Sequence, residues 1–178
     1  EAGSFISRAF IKPKQIYTGT LSRQLETAKI IQQSLDVNLE VNSIFDELSL
    51  SGWEGKSDDY ILENLPGELE DFNSRGVMPS RWKEECESKV REIQEFLRGL
   101  FLGNIDYGDN IVIVTSHLVL QLIYRLDTAL WEDIKSHGEI NRSKVKTGNV
   151  SLLKLTEAGK ITVSQWNVNP VAVVTYKI

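Results

Sequence analysis

The feature that most constrains the fold is a pattern of a short apolar strand, a polar turn and an amphipathic helix, which occurs twice. Residues 15–18 (QIYT) predict the first strand, and residues 111–114 (IVIV) predict the second. Residues 115–117 (TSH) form the second turn, and another apolar helix begins near Leu118. The first helix shows apolar residues at steps of three and four: Leu21, Leu25, Ala28, Ile31 and Leu35. Strands joined through helices usually pair in parallel, so we expect a mostly parallel sheet with helices on both faces.

Two further segments complete the predicted fold. Residues 81–102 repeat the helical period and end near Gly103, as a helix does at a glycine. Residues 150–167 alternate around a Gly-containing turn, which predicts a C-terminal β-hairpin at one edge of the sheet. The predicted fold class is α/β, a three-layer α/β/α sandwich. We expect one domain over residues 1–178, since no linker, repeat or low-complexity segment divides them.

Composition excludes several classes of function. The chain has 178 residues, of which 41% are hydrophobic and 25% charged, and no apolar run is long enough to cross a bilayer. A net charge of −5 argues against nucleic acid as a partner. Cys86 is the single cysteine, so no disulfide framework or thiolate zinc site is expected, and a cytoplasmic location is the default. The oligomeric state is not indicated.

The residues that follow the two strands predict an anion site. Ligands bind at the carboxyl ends of parallel strands, and Arg23 stands in the opening turn of the first helix. Free backbone N–H groups and the helix dipole favour an anion there, and a guanidinium can bind two phosphate oxygens at once. His117 occupies the equivalent place after the second strand. We therefore expect a phosphate group between Arg23 and His117.

Glu47 is the candidate proton donor at this site. It lies in the segment ELSLSGWEG, in a loop between predicted helical segments. A carboxyl group beside a phosphate is repelled unless it is protonated, and a protonated carboxyl can supply the proton that a leaving alkoxide needs. Asp46 and Glu54 are the alternative carboxylates.

The segments IYTGTLSRQLETA, ELSLSGWEG, CES (86–88) and VIVTSH resemble the histidine phosphatase superfamily, the phosphoglycerate-mutase-like proteins. The resemblance extends from about Gly3 to Asn167. It matches the phosphate-binding turn of that family to Thr18 and Arg23, and its acidic residue to Glu47. The family's second histidine corresponds to His117.

The resemblance implies that a histidine attacks phosphorus and that a phosphohistidine forms and is then hydrolysed, as in other covalent mechanisms. Arg23, Thr18 and His117 would bind the phosphate, and Glu47 and His117 would act in catalysis. No metal or organic cofactor is implied. The expected activity is that of a phosphatase of a small phosphorylated metabolite. A mutase and a non-catalytic phosphate-binding or scaffold module remain alternatives.

The chain departs from the family pattern at several positions. The family's nucleophile lies in an Arg-His-Gly motif after its first strand, and this motif is absent from the sequence. His137 follows no predicted strand and is not expected to replace it. Two glycines of the family are Leu118 and Val119 here, which predicts bulky side chains close to the phosphate. Gly19 stands where the family often has serine.

Two explanations account for the missing motif. One is that the sequence lacks the N-terminal segment of an active enzyme, and this is the explanation we expect, because a central strand cannot be removed without exposing its neighbours. The other is a diverged member that keeps only a binding role. Residues 171–178 (VAVVTYKI) could also fill the vacant strand position.

Overall fold

The computed structural model describes Ile6 and residues 13–72, 79–103, 110–124, 146–155 and 161–169. The predicted hairpin turn, His137 and the segment 171–178 lie outside these residues. Two short 3₁₀ helices, Ser43–Phe45 and Ser80–Trp82, accompany the main elements. The strands and α-helices are, in chain order, β1 (Pro13–Thr18), α1 (Ser22–Leu35), β2 (Asn38–Val41), α2 (Asp58–Asn64), α3 (Glu68–Glu70), α4 (Lys83–Gly103), β3 (Asn110–Val114), α5 (His117–Tyr124), β4 (Val150–Leu155) and β5 (Ile161–Val168).

Strand β1 is the centre of a three-stranded parallel sheet with the order β2-β1-β3. The predicted strand at residues 15–18 is confirmed and extends back to Pro13. Strand β2 was not predicted, because its four residues are mostly exposed and carry no clear apolar pattern. The helix after β3 begins at His117, one residue earlier than expected.

Helices cover both faces of the sheet, and the side chains of β3 show this directly. Val112 and Val114 pack with Ile16 of β1 and with Ala28 and Ile31 of α1. The alternate residues of the strand, Ile111 and Ile113, contact the opposite layer, which is formed by Ile93 and Leu97 of α4 and by Val119 and Ile123 of α5. Successive residues of a strand point to opposite faces, so β3 is covered on both sides and the three-layer α/β/α arrangement is confirmed.

The C-terminal strands form a separate unit. Strand β4 pairs antiparallel with β5, and neither strand is hydrogen-bonded to the three-stranded sheet within the described ranges. Within the described residues the hairpin forms its own two-stranded sheet, and its closing of an edge of the main sheet stays a prediction. Closure would require ladder hydrogen bonds between the hairpin and an edge strand, β2 or β3, and the pairings described for both of these strands are with β1. None of the described helices is long and apolar enough to cross a membrane.

An aromatic cluster holds together the segment between β2 and α4, and its member Trp82 packs in the same buried cluster as Leu118 and Leu122 of α5. Trp53 and Trp82 meet edge to face with ring centroids 4.7 Å apart, and Phe72 packs on both rings. The Trp82 indole N–H also donates to the carbonyl oxygen of Ser51 at 2.9 Å. Burial of large aromatic side chains is a major source of stability, and edge-to-face contact adds to it.

Replacing Trp82 by alanine should lower the free energy of unfolding by about 3–5 kcal/mol, because it removes a large buried side chain and leaves a cavity. Trp82 is only 1% exposed. Urea denaturation measures the change. Leu62→Ala is the matched control, since Leu62 is 53% exposed, and its effect should stay within about 0.5 kcal/mol. Equal effects of the two substitutions would contradict the assigned role of the cluster.

Candidate active site

The register of the sheet places three strand ends at one level. Thr18, the last residue of β1, lies opposite Val41 of β2 and Val114 of β3. The segments that leave these strands therefore start at the same edge, the carboxyl edge where parallel sheets bind ligands. They carry Arg23, Glu47 and His117 respectively. The structure thus brings the three main predicted site residues to one place.

Glu47 is half-buried at the N-terminus of α5. Its carboxyl accepts hydrogen bonds from the backbone N–H of Leu48, at 3.3 Å, and from that of Leu118. Burial raises the pKa of Glu47 above its ordinary value, although these N–H groups and the charges of Arg23 and His117 act in the opposite direction. A carboxyl with a raised pKa, close to the guanidinium of Arg23 and the imidazole of His117, has the properties of a general acid at an anion site.

The two alternative carboxylates have other partners. Asp46 accepts hydrogen bonds from the backbone N–H and the hydroxyl of Thr20. Glu54 accepts one from the hydroxyl of Ser49 at 2.8 Å. Glu47 instead lies close enough to Arg23 and His117 for the charges of these side chains to act on its carboxyl.

Arg23 and His117 are both exposed, and their side chains are held by neighbouring polar groups. Arg23 Nη2 donates to the hydroxyl of Ser116 at 3.2 Å. The amide of Gln121 lies 3.0 Å from His117 Nε2, one helical turn further along α5. Both side chains are therefore oriented at the sheet edge and still accessible to a ligand.

The expectation of bulky side chains near the phosphate is wrong. Leu118 and Val119 are 5% and 0% exposed, because both side chains point into the core between α4 and α5. What Leu118 presents to the site is its backbone N–H, which contacts Glu47. A helical residue can contribute its amide without its side chain, so the absence of glycine at these positions leaves the edge open.

Thr18 is fully buried at the end of β1, with an exposed fraction of 0%. Its hydroxyl has no hydrogen-bond partner within the described part of the chain. Direct contact between Thr18 and a phosphate group stays a prediction.

A buried polar network that sequence reasoning missed connects the three segments. The side-chain N–H₂ of Gln24 donates to the carbonyl of Phe45 at 2.9 Å and to the hydroxyl of Ser116 at 2.7 Å. The hydroxyl of Thr115 donates to the same carbonyl at 2.8 Å. Gln24 could have been found, because it falls between Leu21 and Ala28 on the apolar face of its helix. A polar residue on a buried face needs internal partners.

Gly19 and Asp46 form an interlock between the β1-α1 turn and the Glu47 segment. A Cβ atom at Gly19 would lie 2.3 Å from Asp46 Oδ1 and 2.0 Å from Gln24 Oε1. Asp46 thus occupies the space that a side chain at position 19 would need, and its hydrogen bonds to Thr20 depend on that space. The first turn was expected to be open to an anion, but the Thr20 N–H is already bound to this internal carboxylate.

The described residues contain no cluster of three or more histidine, cysteine or acidic side chains that could hold a metal ion. The arrangement that they do form consists of one guanidinium, one imidazole and one carboxyl with a raised pKa. Such a set can bind a phosphate group electrostatically and donate a proton to a leaving oxygen.

Comparison with known sequences and structures identifies a family. The model of the histidine phosphatase superfamily (branch 1) matches residues 2–169. No curated protein sequence matches the chain significantly.

Three solved structures, two of them of phosphatases, share the fold at low sequence identity. A mycobacterial glucosyl-3-phosphoglycerate phosphatase superposes with a TM-score of 0.75 and 14% identity, covering 94% of this chain and 83% of its own. YhfR of Bacillus stearothermophilus gives 0.67 and 21%, covering 96% and 81%. Phosphoserine phosphatase of Entamoeba histolytica, in complex with 3-phosphoglyceric acid, gives 0.66 and 15%, covering 94% and 80%.

Replacing Gly19 by alanine should destabilise the fold by about 1–3 kcal/mol, because the new methyl group displaces Asp46 or Gln24. Gly99→Ala is the matched control. No atom lies within 4 Å of the position of its added Cβ, and alanine in a helix should stabilise by up to about 1 kcal/mol. Urea unfolding of both variants checks this. A neutral effect at Gly19 would show that the interlock is easily displaced.

Replacing Glu47 by glutamine should change how stability depends on pH. Because burial raises the pKa of Glu47 in the folded protein, the folded chain keeps a proton that the unfolded chain has already released. Wild-type stability therefore falls as pH rises from the ordinary to the raised pKa, and the glutamine variant lacks this loss.

Urea unfolding of both proteins, from about pH 4 upward, measures the difference. The variant should gain stability relative to wild type across that window. Glu26→Gln, at an exposed position of α1, controls for removal of an acidic residue. A constant difference between Glu47→Gln and wild type over the whole range would contradict the raised pKa.

Proposed function

Because the chain belongs to the histidine phosphatase superfamily, we propose that it is a phosphatase that acts on a small phosphorylated metabolite through a phosphohistidine intermediate. The observation that carries the proposal is the meeting of Arg23, His117 and a half-buried Glu47 at the carboxyl edge of the sheet. The phosphatase neighbours support the same class of reaction.

In this proposal Arg23 and His117 bind the phosphoryl oxygens. The guanidinium of Arg23 donates hydrogen bonds to two phosphoryl oxygens. The imidazole of His117, at the start of α5, stabilises the negative charge on the phosphoryl oxygens in the transition state. Both side chains are exposed at the sheet edge and are oriented by contacts with Ser116 and Gln121. Phosphate binding therefore needs little rearrangement of either side chain. Preorganised charge of this kind stabilises a transition state more than a flexible side chain does.

Glu47 then acts first as acid and afterwards as base. A histidine nitrogen attacks phosphorus, the bond to the leaving oxygen breaks, and Glu47 gives its proton to that oxygen. The resulting carboxylate accepts a proton from the water that hydrolyses the phosphohistidine. A bound phosphate would raise the pKa of Glu47 further by charge repulsion, which favours the protonated form needed at the first step.

The attacking histidine is the part that the sequence leaves open. Neither His117 nor His137 stands in an Arg-His-Gly motif. The intact mass of the protein isolated from its natural source, compared with 20.2 kDa for this chain, decides the matter. A protein heavier by a strand and loop of at least about ten residues would have room for the motif and should hydrolyse phosphomonoesters. An equal mass would favour the second candidate, a phosphate-binding module without turnover.

A mutase uses the same first step and differs in the acceptor. The phosphohistidine would then transfer its phosphoryl group to a substrate hydroxyl instead of to water. Release of inorganic phosphate without a phosphorylated product distinguishes the phosphatase from this alternative.

Replacing Arg23 by alanine should weaken the binding of inorganic phosphate by roughly 10- to 100-fold, which is the range for loss of a charge-assisted hydrogen bond. Isothermal titration with phosphate and with vanadate measures the effect. Arg98→Ala, at an exposed position of α4, is the matched control and should leave the affinity unchanged. Unchanged phosphate affinity in the Arg23 variant would remove this residue from the proposed site.

A further inference from the structure

A shallow cavity of about 260 Å³, widely open to solvent, lies beside the segment that follows Glu47, and four of its seven lining residues are apolar. Leu48, Leu50, Trp53 and Ile61 form this apolar wall. Leu48 follows Glu47 directly, and its amide contacts the Glu47 carboxyl at 3.3 Å. The apolar wall therefore begins one residue from the candidate proton donor. An apolar cavity of about 150 Å³ can hold benzene, so this one is large enough for a six-membered ring.

The charged residues of the cavity do not favour an anion. Glu54 and Asp58 contribute two negative charges, and Lys56 contributes one positive charge. The Lys56 ammonium lies 4.7 Å from the centre of the Tyr60 ring and makes a cation-π contact with it. The cavity thus carries a net negative charge beside its apolar wall.

The surrounding segment strengthens this negative field. Between residues 54 and 72 the single basic residue is Lys56, whereas seven residues are acidic: Glu54, Asp58, Asp59, Glu63, Glu68, Glu70 and Asp71. Arg81 pairs with one of them, Glu68. The excess of carboxylates over cations makes the approach of a second anionic group unfavourable, because charges of one sign summed over a surface repel a ligand of that sign.

We propose that this cavity binds the leaving group of the substrate, and that the substrate is a phosphate monoester whose remaining part is uncharged and largely apolar, about the size of one ring. This inference rests on the proposed function, since the phosphate itself is held by Arg23 and His117. Arg23 and His117 bind the phosphate group of the substrate. The cavity, with its apolar wall and net negative charge, favours a neutral leaving group and disfavours a second anion.

The negative charge of the cavity also favours the phosphatase over the mutase. Phosphoglycerate carries a carboxylate in addition to its phosphate. In the cavity this carboxylate would be repelled by Glu54 and Asp58, and Lys56 is the one lining residue that would attract it. Hydrolysis of a singly phosphorylated, otherwise neutral molecule suits the cavity better.

Three ligands test the inference on the full chain by isothermal titration: inorganic phosphate, phenylphosphonate and 4-carboxyphenylphosphonate. The phosphonates cannot be hydrolysed, so the measurement needs no nucleophile. Phenylphosphonate should bind about tenfold more tightly than phosphate, because its ring is removed from water. The carboxylated analogue should bind about fivefold more weakly than phenylphosphonate, as expected for like charges several ångströms apart in a partly hydrated site.

A matched pair of variants assigns the charge effect to the cavity. Asp58 lines the cavity, whereas Asp59 is its neighbour in the first turn of α2 and does not. Asp58→Asn should reduce the penalty for the carboxylate by about half, and Asp59→Asn should leave it unchanged. Both substitutions remove one acidic residue from the same helix end, so effects on helix stability are matched.

The outcomes separate the two proposals. If phosphate binds but the phenyl ring adds no affinity, or if the carboxylated analogue binds as tightly as phenylphosphonate, the leaving-group inference is overturned and the proposed phosphate site stands. If phosphate does not bind, the proposed function fails, and the inference fails with it. An equal effect of the Asp58 and Asp59 substitutions would show that the discrimination does not arise in the cavity.

Discussion

The central position of β1 is the constraint on which the rest of the structure depends. Because β1 pairs in parallel with a strand on each side, and because Thr18 is level with both Val41 and Val114, three chain segments leave the sheet at one edge. Arg23, Glu47 and His117 are far apart in sequence, and the register alone brings them together. A one-residue shift of either neighbour would turn its side chains to the other face and bury them wrongly, so the apolar core fixes this register.

Polar side chains then hold the three segments against one another. The carbonyl of Phe45 accepts hydrogen bonds from Gln24 and Thr115, and the hydroxyl of Ser116 accepts from Arg23 and Gln24. Apart from the exposed Arg23, the residues of this network are buried or half-buried, and leaving one of their polar groups unpaired would cost about 1–3 kcal/mol. Moving one of the site segments would break these hydrogen bonds and destabilise the fold. The network therefore keeps the candidate binding site preorganised.

The site combines features that oppose one another electrostatically. Burial raises the pKa of Glu47, whereas Arg23, His117 and two backbone N–H groups lower it, and burial is the largest effect.

Next to this site, Asp46 binds the turn that precedes α1, and Gly19 leaves the space for it. Position 19 and Asp46 are therefore coupled, which gives a structural reason why glycine replaces the serine that the family often has.

The sequence by itself determined the elements with strong periodicity, and it indicated the candidate residues of the site. The two strand-turn-helix units and the long helix before Gly103 could be predicted from residue spacing. Arg23 and His117 became candidates from their positions after the two predicted strands, and Glu47 from its chemistry and its motif. These are local properties, set by side-chain period and by the direction of parallel strands. Strand β2 escaped prediction because four mostly exposed residues carry no period of their own and exist as a strand only beside β1.

The tertiary structure alone decided which polar residues become partners. The local sequence left Asp46 and Glu54 as alternatives to Glu47, and the fold binds Asp46 to Thr20 and Glu54 to Ser49, whereas it places Glu47 beside Arg23 and His117. It also turned the Leu118 and Val119 side chains into the core, where the sequence suggested that they would crowd a phosphate. Burial and long-range contacts depend on residues up to about 90 positions away, and no local pattern records them.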